Sequence, residues 1–290
     1  MAGRLEQRKE KNRDQWRNHR AAMVVYILLR LIVILALVSA VLRGDWENVF
    51  VCVLTLILFM LPAVVEKNFR VSLPDTLEIV ILFFIFSTQI LGEFDAWYVR
   101  FHGWDTLMHT LNGFLCAALG FSLVDLLNRN ERVGFSLSPL YLSLAAFCFS
   151  MTVGVLWEFF EFAMDFFFLQ DMQKDTVLHT ISSVALDPTM SNHPVVVTGI
   201  TDVIVNGESL GVGGYLDIGL YDTMKDLFVN FLGAVIFSVI GYFYVKSRGK
   251  SKFAQRFIPV VLDDQGQPMA PSGEPGGSGE PSPDLLRKED

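Results

Sequence analysis

The chain has 290 residues, of which 52% are hydrophobic and 25 are Phe, and its mean hydropathy is +0.41. That is too apolar for an ordinary soluble domain of this length and points to an integral membrane protein. The formal charge of -8 comes from acids gathered in one loop, the C-terminal tail and a few helix positions, so nothing in it marks a nucleic-acid-binding protein.

Residues 1–20 carry seven Lys or Arg ahead of an apolar run near 21–42, long enough to cross a bilayer core. The run exceeds a signal-peptide core, and the basic region is long, although Val38-Ser39-Ala40 loosely resembles a cleavage site. Further apolar runs lie near 49–65, 76–94, 105–127, 139–169 and 223–245. The expected fold class is therefore all-α: a polytopic transmembrane helical bundle of about six spans, with a small, partly β extracytoplasmic loop region. The three cysteines, Cys52, Cys116 and Cys148, fall inside apolar runs, where a thiol serves as a small hydrophobe, so no disulfide framework is implied.

Orientation follows from the distribution of basic residues. Up to residue 256, sixteen Lys or Arg fall on one side of the spans, and only Arg43, Arg100 and Lys174 on the other, which predicts cytoplasmic termini. Residues 170–221 then form an extracytoplasmic loop, in which the β-branched stretch Val195 to Val205 and the Asn206-Gly207 turn signal predict a hairpin. Residues 246–290 end in Pro, Gly, Ser and acids and are expected to be a disordered cytoplasmic tail.

Three of the spans carry polar stripes. On the fourth, Asp105 and His109 lie one helical turn apart, with Asn112 and Gly113 beyond them. The fifth presents Glu158, Glu161 and Asp165 on one face, and the sixth presents Asp222, Asp226 and Asn230 at successive i+4 steps. Depth agrees as well as face: the fourth and sixth spans enter from the extracytoplasmic side, and Glu158 lies roughly 28 Å along the fifth from its opposite end. The stripes should meet near the outer leaflet.

Six carboxylates and one imidazole cannot all be ionised together at low dielectric. The only base nearby, Lys225, lies off the Asp222 and Asp226 stripe, so either protons are retained or cations are bound. An oxygen-rich set with one imidazole suits Mg, Mn, Zn or Fe. Capping of a helix start is the alternative reading for Asp105 and for Asp222. It does not explain His109, Glu158, Glu161 and Asp226, which lie too far into their spans.

The sequence WDTLMHTLNGF, followed by WEFFEF and then YDTMKDLFVNFLGA, resembles the YjdF-like family of bacterial inner-membrane proteins and, more distantly, the VanZ-like membrane proteins. The likeness covers most of Val24 to Val245. It includes LGEFDAWY, Leu91 to Tyr98, which makes Glu93 a further candidate for the site. The VanZ-like pattern has a basic residue and a glutamine where Thr106 and Glu161 stand here. The resemblance implies an inner-membrane location but brings no biochemical activity with it.

The expected function is that of a multi-pass membrane protein with a divalent-metal site of Asp105, His109, Glu158, Glu161, Asp222 and Asp226. Glu161 would be the catalytic base for hydrolysis of a lipid-linked or envelope substrate. The bilayer is the expected partner. The alternatives are a proton- or ion-coupled transporter and a non-catalytic membrane assembly factor.

Overall fold

The computed structural model describes residues 20–69, 71–101, 103–128, 137–247 and 249–262. Six helices among them are long and apolar enough to cross a membrane: Ala21–Arg43, Trp46–Phe69, Asp75–Phe94, Trp104–Asn128, Pro139–Phe168 and Leu220–Lys246. Local chemistry sets several of their ends. The second span starts before its apolar run because the Asp45 carboxylate accepts a hydrogen bond from the Asn48 backbone N–H and caps the helix. It breaks after Leu58 and resumes at Leu61, with Pro62, which has no N–H to donate, in the first turn of the new segment. At the start of the fifth span Ser138 accepts from the Tyr141 N–H and Pro139 takes the first helical position.

The spans pack as two groups of three. Leu29, Val33, Cys52, Phe59, Leu82 and Ile85 form one core among the first three spans. Ala117, Phe121, Leu142, Ala146, Ala234 and Phe237 form a second among the last three. Within the second group the fourth and sixth spans come unusually close. A Cβ on Gly113 would overlap the Asn230 carbonyl, and one on Gly233 would overlap the Thr110 carbonyl. The approach lets the Ser150 hydroxyl donate to the Gly113 carbonyl at 2.7 Å and the Asn112 amide donate to Asn230 Oδ1 at 3.4 Å. These contacts form a polar layer across all three helices.

The third span ends in π-helical turns, Ser87–Phe94, and a short helix, Trp97–Arg100, leads into the fourth. Between the fifth and sixth spans the chain folds into three two-stranded antiparallel pairs. Thr176–Leu178 pairs with Tyr215–Asp217, Thr180–Ser183 with Val195–Thr198, and Ile204–Val205 with Glu208–Ser209. Asn206 and Gly207 join the last pair with φ of 53° and 89°, the two positive values that a type I′ turn requires. Asp165, near the end of the fifth span, accepts from the Met172 and Gln173 backbone N–H groups at 2.7 and 2.8 Å and ties the loop to the helix end.

At the opposite end of the bundle, the reading of 246–290 as a disordered tail needs correction. Val260–Val261 pairs antiparallel with Val71–Ser72, and Ala254 and Ile258 are buried in the core of the last three spans. Ile258 in that core, with Phe257 packed against it, supplies the apolar surface that fixes this segment. The rest of that tail, from residue 263, and residues 1–19 of the basic segment lie outside the described residues.

Candidate functional site

The fourth span begins, the fifth ends and the sixth begins at the loop-bearing end, so their polar stripes share one depth. His109 stands at the centre. Its Nε2 is 3.4 Å from Asp105 Oδ1 and 3.7 Å from Asp226 Oδ2, and its Nδ1 is 3.9 Å from Glu158 Oε1. His109, Glu158, Glu161, Asp222 and Asp226 are all buried, and Asp105 is half-buried.

The acids divide into two overlapping sets. In one, single ligand atoms of His109, Glu158, Glu161 and Asp226 all lie within 4.8 Å of one another; in the other the same holds for Asp105, Asp222 and Asp226. Lys225 occupies the second. Its ammonium is 2.7 Å from Asp222, 3.3 Å from Asp105 and 3.6 Å from Asp226. The expectation that Lys225 stands apart from the stripe is thus corrected: at three residues from Asp222 it is that acid's neighbour on the helix surface, and its flexible four-carbon stem carries the charge on to Asp105 of the fourth span.

The first set shares Asp226, and through it the edge of the Lys225 charge, with the second; the described residues place no lysine or arginine beside its Glu158 or Glu161. Glu158 Oε2 and both Asp226 carboxylate oxygens are buried without a hydrogen-bond partner, a costly arrangement unless something positive sits among them. Glu161 differs, because its Oε1 accepts a hydrogen bond from Trp157 Nε1 at 2.7 Å. One imidazole and three carboxyl groups form a donor set that suits Mg, Mn, Zn or Fe.

Helix capping does not account for Asp222. Gly219 takes the cap position of the sixth span, and the Asp222 carboxylate instead accepts from the Lys174 backbone N–H of the loop at 2.7 Å. Asp165 is committed to the loop backbone, as described above. Glu93 is exposed and joins neither ligand set. Tyr98, by contrast, went unnoticed in the sequence. Its ring packs over Gly92, where any side chain would collide with it. Burial and then the charges of Glu93, Asp105, Glu161 and Asp226 push its phenol upward, keeping it a proton donor. The bulk of Tyr98 opposite Gly92 was the only sequence signal for that placement.

The role of Lys225 is open to test. In Lys225→Met three facing carboxyls lose their shared ammonium. The expected loss is about 2 kcal/mol, below the roughly 3–5 of a fully buried pair because Lys225 is 45% exposed. Thermal unfolding in detergent should show a lower midpoint that millimolar Mg²⁺ restores. A midpoint equal to wild type without added cation would remove Lys225 from its assigned role.

Below the site, Ala117, Ala118, Phe121 and Phe237 are packed with almost no exposure. Neither curated proteins nor solved structures gave a match. A family model described as "Predicted membrane protein (DUF2238)" matches residues 23–247, a stretch that contains the six spans except the first two residues of the first, and every residue of both side-chain sets. The chain therefore belongs to this family of predicted membrane proteins, the YjdF-like family.

Proposed function

We propose that the protein is a multi-pass component of the bacterial inner membrane, with both termini cytoplasmic. In this reading the polar cluster is a divalent-metal site at the extracytoplasmic end that serves hydrolysis of a lipid-linked or envelope substrate. The observation that carries this is the group of orphaned oxygens on Glu158 and Asp226 beside His109, drawn from three different spans. The orientation draws support from the sixteen basic residues on one side of the spans against three on the other.

The ion pairs and hydrogen bonds separate the roles, since Asp105 has Lys225 and His109 beside it and Glu161 has Trp157. His109, Glu158 and Asp226 are assigned as ligands, and Asp105 orients the imidazole by accepting from the ring nitrogen that faces it. A bound divalent ion would supply a water of lowered pKa at neutral pH. Glu161, held by Trp157 rather than left bare, would be the residue to take up a proton there. Lys225 balances Asp105 and Asp222 and only borders Asp226, at 3.6 Å, which leaves Glu158 and most of the Asp226 charge for the ion. The closed apolar core beneath the site supports a chemistry confined to one face over passage through the bundle.

Two measurements test the reading together. Elemental analysis of the purified chain should find about one divalent ion per molecule, and His109→Ala should lower that content, since His109 is the only imidazole in the six spans. A membrane-impermeant reagent should label a cysteine placed in the 185–195 stretch from outside intact cells. Unchanged metal content in His109→Ala, or labelling only after permeabilisation, would overturn the corresponding half.

A further inference from the structure

The fourth span packs on one side of the fifth and sixth, so the crevice between those two faces outward on the other. It holds a hollow of about 400 Å³ at the loop-bearing end, walled by Val155, Phe159, Phe162 and Leu227. Phe159 and Phe162 are 65% and 56% exposed on the outside of the bundle, where the surroundings of a membrane span are acyl chains. Glu158 lies on the same wall, with Gln173 and Thr223 beside it, and the Gln173 amide donates to the Thr223 hydroxyl at 2.7 Å. A second apolar hollow of about 430 Å³, bordered by Leu144, Phe147, Phe231 and Val235, lies along the same pair of helices toward the other end. From Leu220 to Phe243 the crevice runs roughly 34 Å at 1.5 Å per residue, the thickness of a bilayer core.

We propose that this crevice is a lateral binding site for a lipid, whose chain lies along the fifth and sixth spans and whose uncharged, hydroxyl-bearing head donates a hydrogen bond to Glu158. The apolar walls select a chain, and their outward opening lets it enter from the bilayer rather than from water. The buried, unpartnered Glu158 Oε2 selects the head, because it needs a donor. Charge excludes the commoner anionic heads. Asp105, Glu158, Glu161, Asp222 and Asp226 outnumber Lys225, so an anionic head would meet far more acids than bases there. The proposal deepens the hydrolytic reading and rests on it for the presence of chemistry next to the bound head.

The test uses the full chain in phosphatidylcholine nanodiscs doped with a photoactivatable diacylglycerol or with phosphatidic acid bearing the same chains. Peptide mapping after illumination should place diacylglycerol adducts within 155–162 and 220–227, at about tenfold the yield of phosphatidic acid. That is the ratio expected from one hydrogen bond to a charged acceptor. Unlabelled diacylglycerol should compete, and Leu227→Trp, which fills the hollow, should reduce capture while metal content stays at the wild-type value. Equal capture of the two lipids, or adducts spread evenly over the exposed faces of all six spans, would overturn the proposal. Metal measured on the same samples separates the two readings. Selective capture by metal-free protein keeps the crevice and removes the hydrolytic reading, whereas metal-loaded protein without selectivity does the reverse.

Discussion

Replacing Glu158 by Gln and Asp226 by Asn in one chain is expected to move stability and cation binding in opposite directions. In the wild type these side chains place three unpartnered oxygens in the protein interior beside His109. Neutral amides of the same shape remove the mutual repulsion with Glu161, Asp105 and Asp222 and can donate to those acids. The cation-free double variant should therefore melt at a higher temperature than the cation-free wild type. Binding goes the other way, because two of the three assigned ligands lose their charge, and affinity should fall at least about 100-fold. At a cation concentration near 100 times the wild-type dissociation constant, the wild type gains about 2.7 kcal/mol and the double variant almost nothing. Thermal scans with and without added divalent ion measure both effects. A double variant that is less stable without cation and still gains with it would show that these acids serve packing alone.

The second large effect is geometric. Gly233→Val should separate the fourth and sixth spans, because its Cβ would overlap the Thr110 carbonyl and lie 2.9 Å from the Phe114 nitrogen. Backbone atoms on a packed helix cannot step aside as a flexible side chain can. Overpacking of this kind costs about 3 kcal/mol or more, and here it also pulls apart the layer made by Ser150, Gly113, Asn112 and Asn230. The expected outcome is loss of a monodisperse species in detergent. Any folded fraction should also lose cation stabilisation, since Asp226 is carried by the same helix. Phe228→Leu, on the outward face where Phe228 is 60% exposed, should leave both properties unchanged. A well-folded Gly233→Val protein with normal cation response would mean that the close approach is not what aligns the stripes.

The two effects indicate why parts of this fold can be read along the chain and others cannot. Long apolar runs separated by polar segments identify spans, because a bilayer forces each backbone polar group to be satisfied within its own helix. The stripes on the fourth, fifth and sixth spans could be read for a similar reason: spacings of three and four residues set one face of a helix whatever it packs against. The meeting of those stripes was an expectation built on orientation and depth, and the distances around His109 are what the structure adds.

What escaped the sequence depends on side-chain reach and on pairs far apart in the chain. Lys225 was placed by its Cα, but a lysine head can reach acids around its own helix and on the next. Tyr98 reaches its place only because Gly92, six residues earlier, leaves room for the ring. The grouping of spans into two triplets follows from small residues such as Ala117, Ala234 and Gly233, which look alike wherever they occur in an apolar run. Residues near 254–262 were taken with the polar tail because their neighbours are polar, although Ile258 and Val260 give that stretch its own apolar content.

The central claim is that His109 and acids from three spans share one cation, and pulsed electron paramagnetic resonance of the Mn²⁺-loaded full chain reads this directly. The spin-echo decay should carry the modulation of one imidazole nitrogen, and that modulation should disappear in His109→Ala and shift with ¹⁵N-histidine labelling. Manganese showing only water and lipid phosphate in its surroundings, with the same signal in wild type and His109→Ala, would contradict the claim.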